Sequence, residues 1–240
     1  MERTVGEGPD GFGPLQDRVA DLRARVEAAL RAAERGPGEV SIIPASKGMP
    51  PELLDALHAS GFEVFGESRI GEFVRKLELR PDYLWDFFGR FRIEDAPLLA
   101  RTTRLVHSVA TLEQAEALDH GFRVSGRKGG ALLQVNVTGE PRKQGWTEAG
   151  ASEAASGWRF QHLLLRGLMV IGPRDGGPEQ PESAFRSGRQ LFDRIRGSAA
   201  DGFDVLSMGM SDDFEAAIRA GSTLVRIGTL LSGRSARADP

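Results

Sequence analysis

An α/β chain closed into a single (β/α)8 TIM barrel behind one leading helix is the fold this sequence predicts, on three observations. Short apolar runs of strand length alternate with stretches of helical periodicity until eight strand–helix units are filled. The units recur every ~25–30 residues, the spacing expected when each parallel strand is reached through a crossover helix. The 240 residues are also a length that such barrels reach as one domain, and no linker-like segment divides them. An open doubly wound sheet is the competing arrangement. It would carry a Gly-x-Gly-x-x-Gly turn after its first strand, and none follows Ile43. Gly126-Arg127-Lys128-Gly129-Gly130 is not a phosphate loop either, because it leads into a strand and lacks the Lys-Ser/Thr ending.

The elements follow in order. Leu15, Val19, Leu22, Val26 and Leu30 repeat at three to four, which makes about Leu15 to Ala33 a helix with one buried stripe. Val40, Ile42 and Ile43 mark the first strand over about Glu39 to Ala45, and a proline-started helix covers about Pro50 to Ser60. Phe62 to Phe65 is the second strand, followed by a helix over about Arg69 to Leu79. Tyr83 to Phe88 is the third, with a helix over about Glu94 to Arg101. Leu105-Val106-His107 is the fourth, with a helix from Leu112 to Asp119. Ala131 to Asn136 is the fifth, with a helix over about Thr147 to Ser156, and Leu163 to Met169 is the sixth, with a helix over about Pro181 to Arg196. Phe203 to Ser207 and the helix Asp213 to Ala220 form the seventh unit, and Thr223 to Ile227 with a short last turn closes the series. Residues 14–233 are thus the expected barrel. The glycine-rich residues 1–13 read as a flexible extension, and residues 234–240 as a flexible tail.

Composition narrows the function. With 31 basic against 34 acidic side chains and a formal charge of -3, nothing clusters positive charge for a nucleic-acid backbone. The absence of cysteine excludes disulfides and cysteine-ligated metals. The most apolar run, Leu163 to Ile171, is broken by Arg166 and is far shorter than the ~20 residues of a membrane span, so a cytoplasmic protein is expected. His58, His107, His120 and His162 lack metal-ligand spacing and read as helix-surface, strand-end or loop residues. Only Lys47, Lys76, Lys128 and Lys143 interrupt an otherwise all-arginine set of basic residues.

Barrel chemistry sits at the C-terminal ends of the strands. The first strand ends at Ser46-Lys47-Gly48, where a lysine points into the mouth. Arginine cannot stand in for a lysine that forms an imine, because the guanidinium does not deprotonate near neutrality. Lys76 falls on an outer helix and Lys128 and Lys143 fall in loops, so Lys47 is the lysine with a chemical reason to be there. After the seventh strand, Ser211 offers a hydroxyl and helix N–H groups to an anion, although Ser211 and Asp212 could equally cap the helix. Asp212, Asp213 and Glu215 complement the helix dipole. After the eighth strand, Gly228 permits close backbone approach, Thr229 adds a hydroxyl, and Arg226 is aimed into the mouth. An amine-reactive lysine opposite a phosphate corner suggests a phosphorylated aldehyde, of which pyridoxal 5'-phosphate (PLP) is the commonest. Asn136 and Met169 end the fifth and sixth strands and would line the cofactor's faces, with core packing an equal account of Met169. Ser108 could reach the ligand from the fourth.

The segments Pro44-Ala45-Ser46-Lys47, Phe65-Gly66-Glu67-Ser68, Leu165 to Met169, Leu206 to Ile218 and Gly221 to Thr229 resemble the YggS/PROSC family, the pyridoxal phosphate homeostasis proteins, over about residues 15–233. The resemblance implies a barrel like that of bacterial alanine racemase. It implies that Lys47 holds PLP as an internal aldimine, that Arg226 faces the pyridine nitrogen, and that Ser211, Gly228 and Thr229 hold the phosphate. It also implies a monomer acting in PLP homeostasis with little or no catalysis, passing the cofactor to apo-enzymes. A single-base amino-acid racemase and a paralogue acting through partner binding are the alternatives. The lone tyrosine, Tyr83, lies at the wrong end of the barrel for a second base. Two departures from the family pattern stand out. Ser68 occupies a position where asparagine is usual, and the stretch after the third strand reads Asp86 to Asp95, with Asp86 for histidine, Arg92 for glutamine and Glu94-Asp95 for asparagine-lysine.

Overall fold

A computed structural model describes residues 14–138, 144–172, 179–197 and 201–233. The expected extension 1–13, the tail 234–240 and Lys143 lie outside the described residues. The order is α1 (Leu15–Ala32), β1 (Ser41–Pro44), α2 (Pro51–Ala59), β2 (Val64–Glu67), α3 (Ile70–Leu79), β3 (Leu84–Phe87), a 3-10 turn (Ile93–Asp95), α4 (Ala96–Thr102), β4 (Leu105–Val109) and α5 (Leu112–Val124). It continues with β5 (Gly129–Val135), α6 (Glu148–Ser156), β6 (Leu163–Val170), α7 (Glu179–Arg196), β7 (Val205–Ser207), α8 (Phe214–Arg219), β8 (Leu224–Ile227) and α9 (Thr229–Ser232). Eight parallel strands run β1-β8-β7-β6-β5-β4-β3-β2. The ring shuts through a single bridge, Ala45 to Gly66, with Ser46 N–H donating to the Gly66 carbonyl at 2.8 Å. The (β/α)8 barrel predicted from the alternation is the fold observed.

Most elements differ from expectation by one or two residues at their ends, and three differences have clear causes. α5 continues to Val124 because its stripe Ala115, Leu118, Phe122 stays buried past Asp119. α4 begins later because Arg92 N–H donates to the Asp95 carboxylate, which shapes a 3-10 turn first. β4 runs on to Val109, which places His107 in mid-strand rather than at its end.

Two packing layers follow from strand alternation. Outward side chains of the strands meet the helices. Trp85 and Phe87 of β3 meet Phe73 of α3 with ring centroids 5.7 and 5.6 Å apart, and Phe65 of β2 packs on Trp85 at 5.9 Å. Each such fully buried aromatic contributes roughly 2–3 kcal/mol of apolar burial. α1 packs on α8 through Val19, Leu22 and Val26. Arg25 ties it to Glu215, and in the turn beyond α1 Arg35 donates to the Ile218 and Ser222 carbonyls. The leading helix is therefore part of the outer ring.

Inside the barrel, Leu105, Leu132 and Met169 form an apolar cluster with Ile171 and Val205 against it. Asp86, His107, Ser207 and Arg226 fill the remaining interior and are all buried. Gly167 permits the β6–β7 contact at this point. A Cβ there would stand 1.8 Å from the Val205 carbonyl oxygen, and its φ of +149° suits glycine. Gly167→Ala is expected to cost about 2–4 kcal/mol, read as a lowered denaturation midpoint at unchanged m-value. An alanine variant as stable as the parent would refute the close approach.

Candidate functional site

The C-terminal mouth is built mainly from β1, β7 and β8. Ile43 of β1 pairs with Arg226 of β8. A Cβ on Gly228 would touch the Ala45 Cβ at 3.4 Å, which brings the turn after β8 beside the segment leading to Lys47. Lys47 is exposed in the turn just past β1. Ser211 does not cap α8. Its Oγ accepts from Gly228 N–H at 3.1 Å and lies 3.5 Å from Leu230 N, so a hydroxyl oxygen occupies the N–H groups at the start of α9. Asp213 is the residue before α8, and its carboxylate accepts from Met210 N–H at 2.6 Å. Burial raises the Asp213 pKa above the usual carboxylate range.

Arg226 is 4% exposed, and its guanidinium spans the C-terminal ends of β7 and β6. Nη1 donates to the Ser207 carbonyl at 3.0 Å and to its Oγ at 2.6 Å, and Nη2 donates to the Val170 carbonyl at 3.3 Å. Burial lowers its pKa to about 10, with Asp213 opposing the shift, so Arg226 stays a cation at neutral pH. Ser68 sits half-buried after β2, and Asn136 half-buried after β5 with its Oδ1 accepting from Thr138 at 3.1 Å. Met169 is 1% exposed inside the interior cluster, one layer below the rim, as core packing would place it. Thr229 opens α9 beside Gly228. The ends of β1, β7 and β8 thus carry Lys47, Ser211, Arg226, Gly228 and Thr229, with Ser68 at the neighbouring end of β2 and Asn136 at the end of β5.

Several expectations need correction. Ser108 does not face the mouth: its Oγ donates to the Gly89 carbonyl at 2.6 Å and secures the loop after β3. That loop is also tied by Gln114, which donates to the Phe91 carbonyl, and by Gly89, where a Cβ would fall 1.8 Å from the Ser68 carbonyl oxygen. Asp86, grouped with the altered stretch after the third strand, lies within β3, as the strand expected over Tyr83 to Phe88 would place it, and is fully buried inside the barrel. His107, expected at a strand end, lies buried beside it, its Nε2 3.1 Å from Asp86 and its Nδ1 3.0 Å from Ser207. Burial lowers the His107 pKa, against the pull of Asp86, and keeps the ring neutral. Tyr83 precedes β3 at the opposite end from the mouth, where its hydroxyl donates to Asp55 at 2.8 Å. Among the described residues no cluster of His, Asp and Glu could hold a metal, and no helix is long and apolar enough to cross a membrane.

Sequence reasoning missed Lys76 most clearly. The residue is on an outer helix, as expected, but it points inward and is 6% exposed. Its ammonium donates to the Ser46 carbonyl at 2.6 Å, to Ser46 Oγ at 3.3 Å, to Glu67 at 2.5 Å and to Glu72 at 3.2 Å. Glu67 also accepts from Ser46 Oγ and from Ser68 and Arg69 N–H, and Glu72 accepts from Gly48 N–H at 2.8 Å. Both neighbours of Lys47 are therefore held by one buried network. A compact ammonium fits four convergent acceptors where a planar guanidinium would not. The sequence signal was present in the one lysine of an arginine-rich chain set nine residues after Glu67 and four after Glu72.

The fold and mouth define an alanine-racemase-type barrel: a lysine just past the first strand, a serine hydroxyl set on the N–H groups after the eighth, and a buried arginine below it. The model of the alanine racemase N-terminal domain matches residues 20–236. The chain belongs to the family of the pyridoxal phosphate homeostasis proteins. It is 33% identical to the pyridoxal phosphate homeostasis protein of Aquifex aeolicus over 225 residues, covering 90% of this chain and 96% of that one. Identity to the protein of the same name from Pseudomonas aeruginosa is 35%, covering 91% and 95%. Among solved structures it resembles PipY of Synechococcus elongatus with PLP bound, at TM-score 0.79 and 29% identity, covering 91% of this chain and all of that one. An alanine racemase of Clostridium difficile shares the fold at TM-score 0.69 and 12% identity, and this chain covers 58% of it.

The Lys76 network gives a prediction with a pH signature. Burial pushes the Glu72 carboxyl up, but Gly48 N–H, Arg69 and Lys76 outweigh it and hold the pKa at about 2. A depressed carboxyl stabilises the fold fully above its unfolded value of 4.5, and that stabilisation is lost as pH falls toward 2. The melting temperature of Glu72→Gln should therefore lie below the parent's by a constant interval above about pH 5, closing at lower pH. Lys76→Met should cost about 3 kcal/mol, because Glu67 is left buried without its cation.

Proposed function

We propose that this protein binds PLP at the C-terminal mouth, through an imine to Lys47, and acts in PLP homeostasis as a holder of the cofactor with little or no turnover of its own. The observation that carries the reading is the Ser211 hydroxyl seated on the Gly228 N–H beside the segment that bears Lys47. A hydroxyl oxygen on those N–H groups supports an anion site there, and the turn after β8 packs beside Ala45, two residues before Lys47. The similarity to PipY, solved with PLP bound, supports the same ligand.

Bound PLP would supply an aldehyde reactive toward amines and a ring able to withdraw electrons. The chain's own residues then divide the work. Lys47 Nζ holds the cofactor, Ser211, Gly228 and Thr229 receive the phosphate, and Arg226 faces the pyridine nitrogen. A permanent cation there disfavours protonation of that nitrogen and leaves the ring a weak electron sink. Met169 forms the floor, and Ser68 and Asn136 stand at the rim. Two-base racemisation would need a second base facing Lys47, and the only tyrosine, Tyr83, is spent on Asp55 at the far end. A monomer that meets apo-enzymes at this open mouth is the corresponding reading of its partners.

Three measurements bear on this. The protein mixed with PLP should develop a near-visible absorbance band that borohydride abolishes, and Lys47→Ala should lack it; an unchanged band in that variant would remove Lys47 from the role. Ser211→Ala should weaken PLP binding about tenfold, the worth of one hydrogen bond to an anion. L-alanine should yield D-alanine no faster than with free PLP. Sustained turnover would overturn the holder in favour of a racemase.

A further inference from the structure

The barrel interior carries a polar chain that the reading above leaves unused. Arg226 Nη1 lies 2.6 Å from Ser207 Oγ, which lies 3.0 Å from His107 Nδ1, and His107 Nε2 lies 3.1 Å from Asp86 Oδ2. Arg104 grips the same carboxylate from the other end, with Nε and Nη2 at 3.1 and 2.8 Å. The side chains of Asp86 and His107 are fully buried, whereas that of Arg104 is 49% exposed. Arg104 precedes β4 and, with Lys128 and Arg166, lines a cavity of ≈ 490 Å³ at the N-terminal end of the barrel. The chain therefore runs through the barrel from one face to the other.

Its direction is forced by donor chemistry. Asp86 can only accept, so the proton of the neutral His107 ring sits on Nε2 and is donated to it, alongside the donors of Arg104. Nδ1 is then bare and accepts from Ser207 Oγ, whose oxygen in turn accepts from Arg226. The opposite tautomer would set a bare Nε2 against the carboxylate, so the acceptor end fixes the direction of the line.

We propose that Asp86, His107 and Ser207 are positioning residues for Arg226, anchored by Arg104 on the opposite face, and that this relay sets the charge and aim of the guanidinium presented to the cofactor ring. The consequence for PLP rests on the reading that Arg226 faces the pyridine nitrogen; the consequence for Arg226 does not. Asparagine at position 86 could turn its amide toward His107, bare Nε2 and move the proton to Nδ1, leaving Ser207 without an acceptor. Asp86 is also one of the departures from the family pattern, so the relay is built from what distinguishes this chain. The charged and titratable groups facing its members are Asp213 toward Arg226, and Asp86, Arg104 and Arg226 toward His107.

The test has two readouts. In the protein without PLP, long-range nitrogen–proton NMR should find His107 as the Nε2–H tautomer and Arg226 side-chain protons protected from exchange. Ser207→Ala and Arg104→Gln should each speed that exchange, with Arg104→Lys between Gln and parent. In the loaded protein, the same variants should move the midpoint of the pH titration of the absorbance band by about 0.5 pH. Arg104→Gln is the decisive variant, since glutamine keeps an N–H donor for Asp86 at a half-exposed position, with Arg104→Lys keeping the charge as well, where Asp86→Asn changes the buried carboxylate itself. His107 found with its proton on Nδ1, or Arg226 exchange and absorbance unmoved in both Ser207→Ala and Arg104→Gln, would overturn the relay. Altered Arg226 exchange in a chain that takes up no PLP would uphold the relay and sink the proposed function instead.

Discussion

The ammonium of Lys76 is the interaction on which the mouth depends. A closed barrel needs its first and second strands to meet, yet here they share a single bridge between Ala45 and Gly66. Lys76 supplies what the missing ladder does not, drawing the Ser46 carbonyl from one side and the Glu67 carboxylate from the other onto one charge. A buried ion pair of this kind contributes little net stability compared with an apolar replacement, but it is demanding about geometry. Geometry is what the seam requires, since Lys47 stands between two residues held by this network and must meet the corner on β8.

The interior of the barrel divides along its axis into two environments with different tasks. Leu105, Leu132 and Met169 pack the β4–β6 side as an apolar plug. The β3, β4, β7 and β8 side is polar and satisfied, from Asp86 through His107 and Ser207 to Arg226. A buried guanidinium without acceptors would be prohibitively costly, and neutral acceptors on two strand ends let it remain charged just below the rim. That charge lies one layer beneath Gly228 and the Ser211 hydroxyl.

Alternation of strand and helix made the barrel legible, because parallel pairing leaves few other ways to cover both faces of eight short apolar strands. The grouping of Gly228, Thr229 and Ser211 was legible for a similar reason: they follow strands, and the C-terminal ends of strands converge. Lys76 and His107 were not. A lysine on a helix of an arginine-rich chain reads as solvated unless its partners are known, and those partners come from β1, β2 and α3. His107 was assigned to a strand end because one more turn of alternation could not be distinguished from a loop.

The amino-acid sequence by itself determined the fold class, the position of Lys47 just past a strand end and the placement of Ser211, Gly228 and Thr229 after the seventh and eighth strands, since each depends on local periodicity and on which end of a strand a residue follows. Only the tertiary structure decided that Lys76 faces inward, that Asp86 is buried inside the barrel beside His107, and that Ser211 reaches Gly228 instead of capping α8. These are contacts between residues 9 to 30 positions apart. Strand register and helix rotation, which no local pattern encodes, bring such residues within hydrogen-bonding distance.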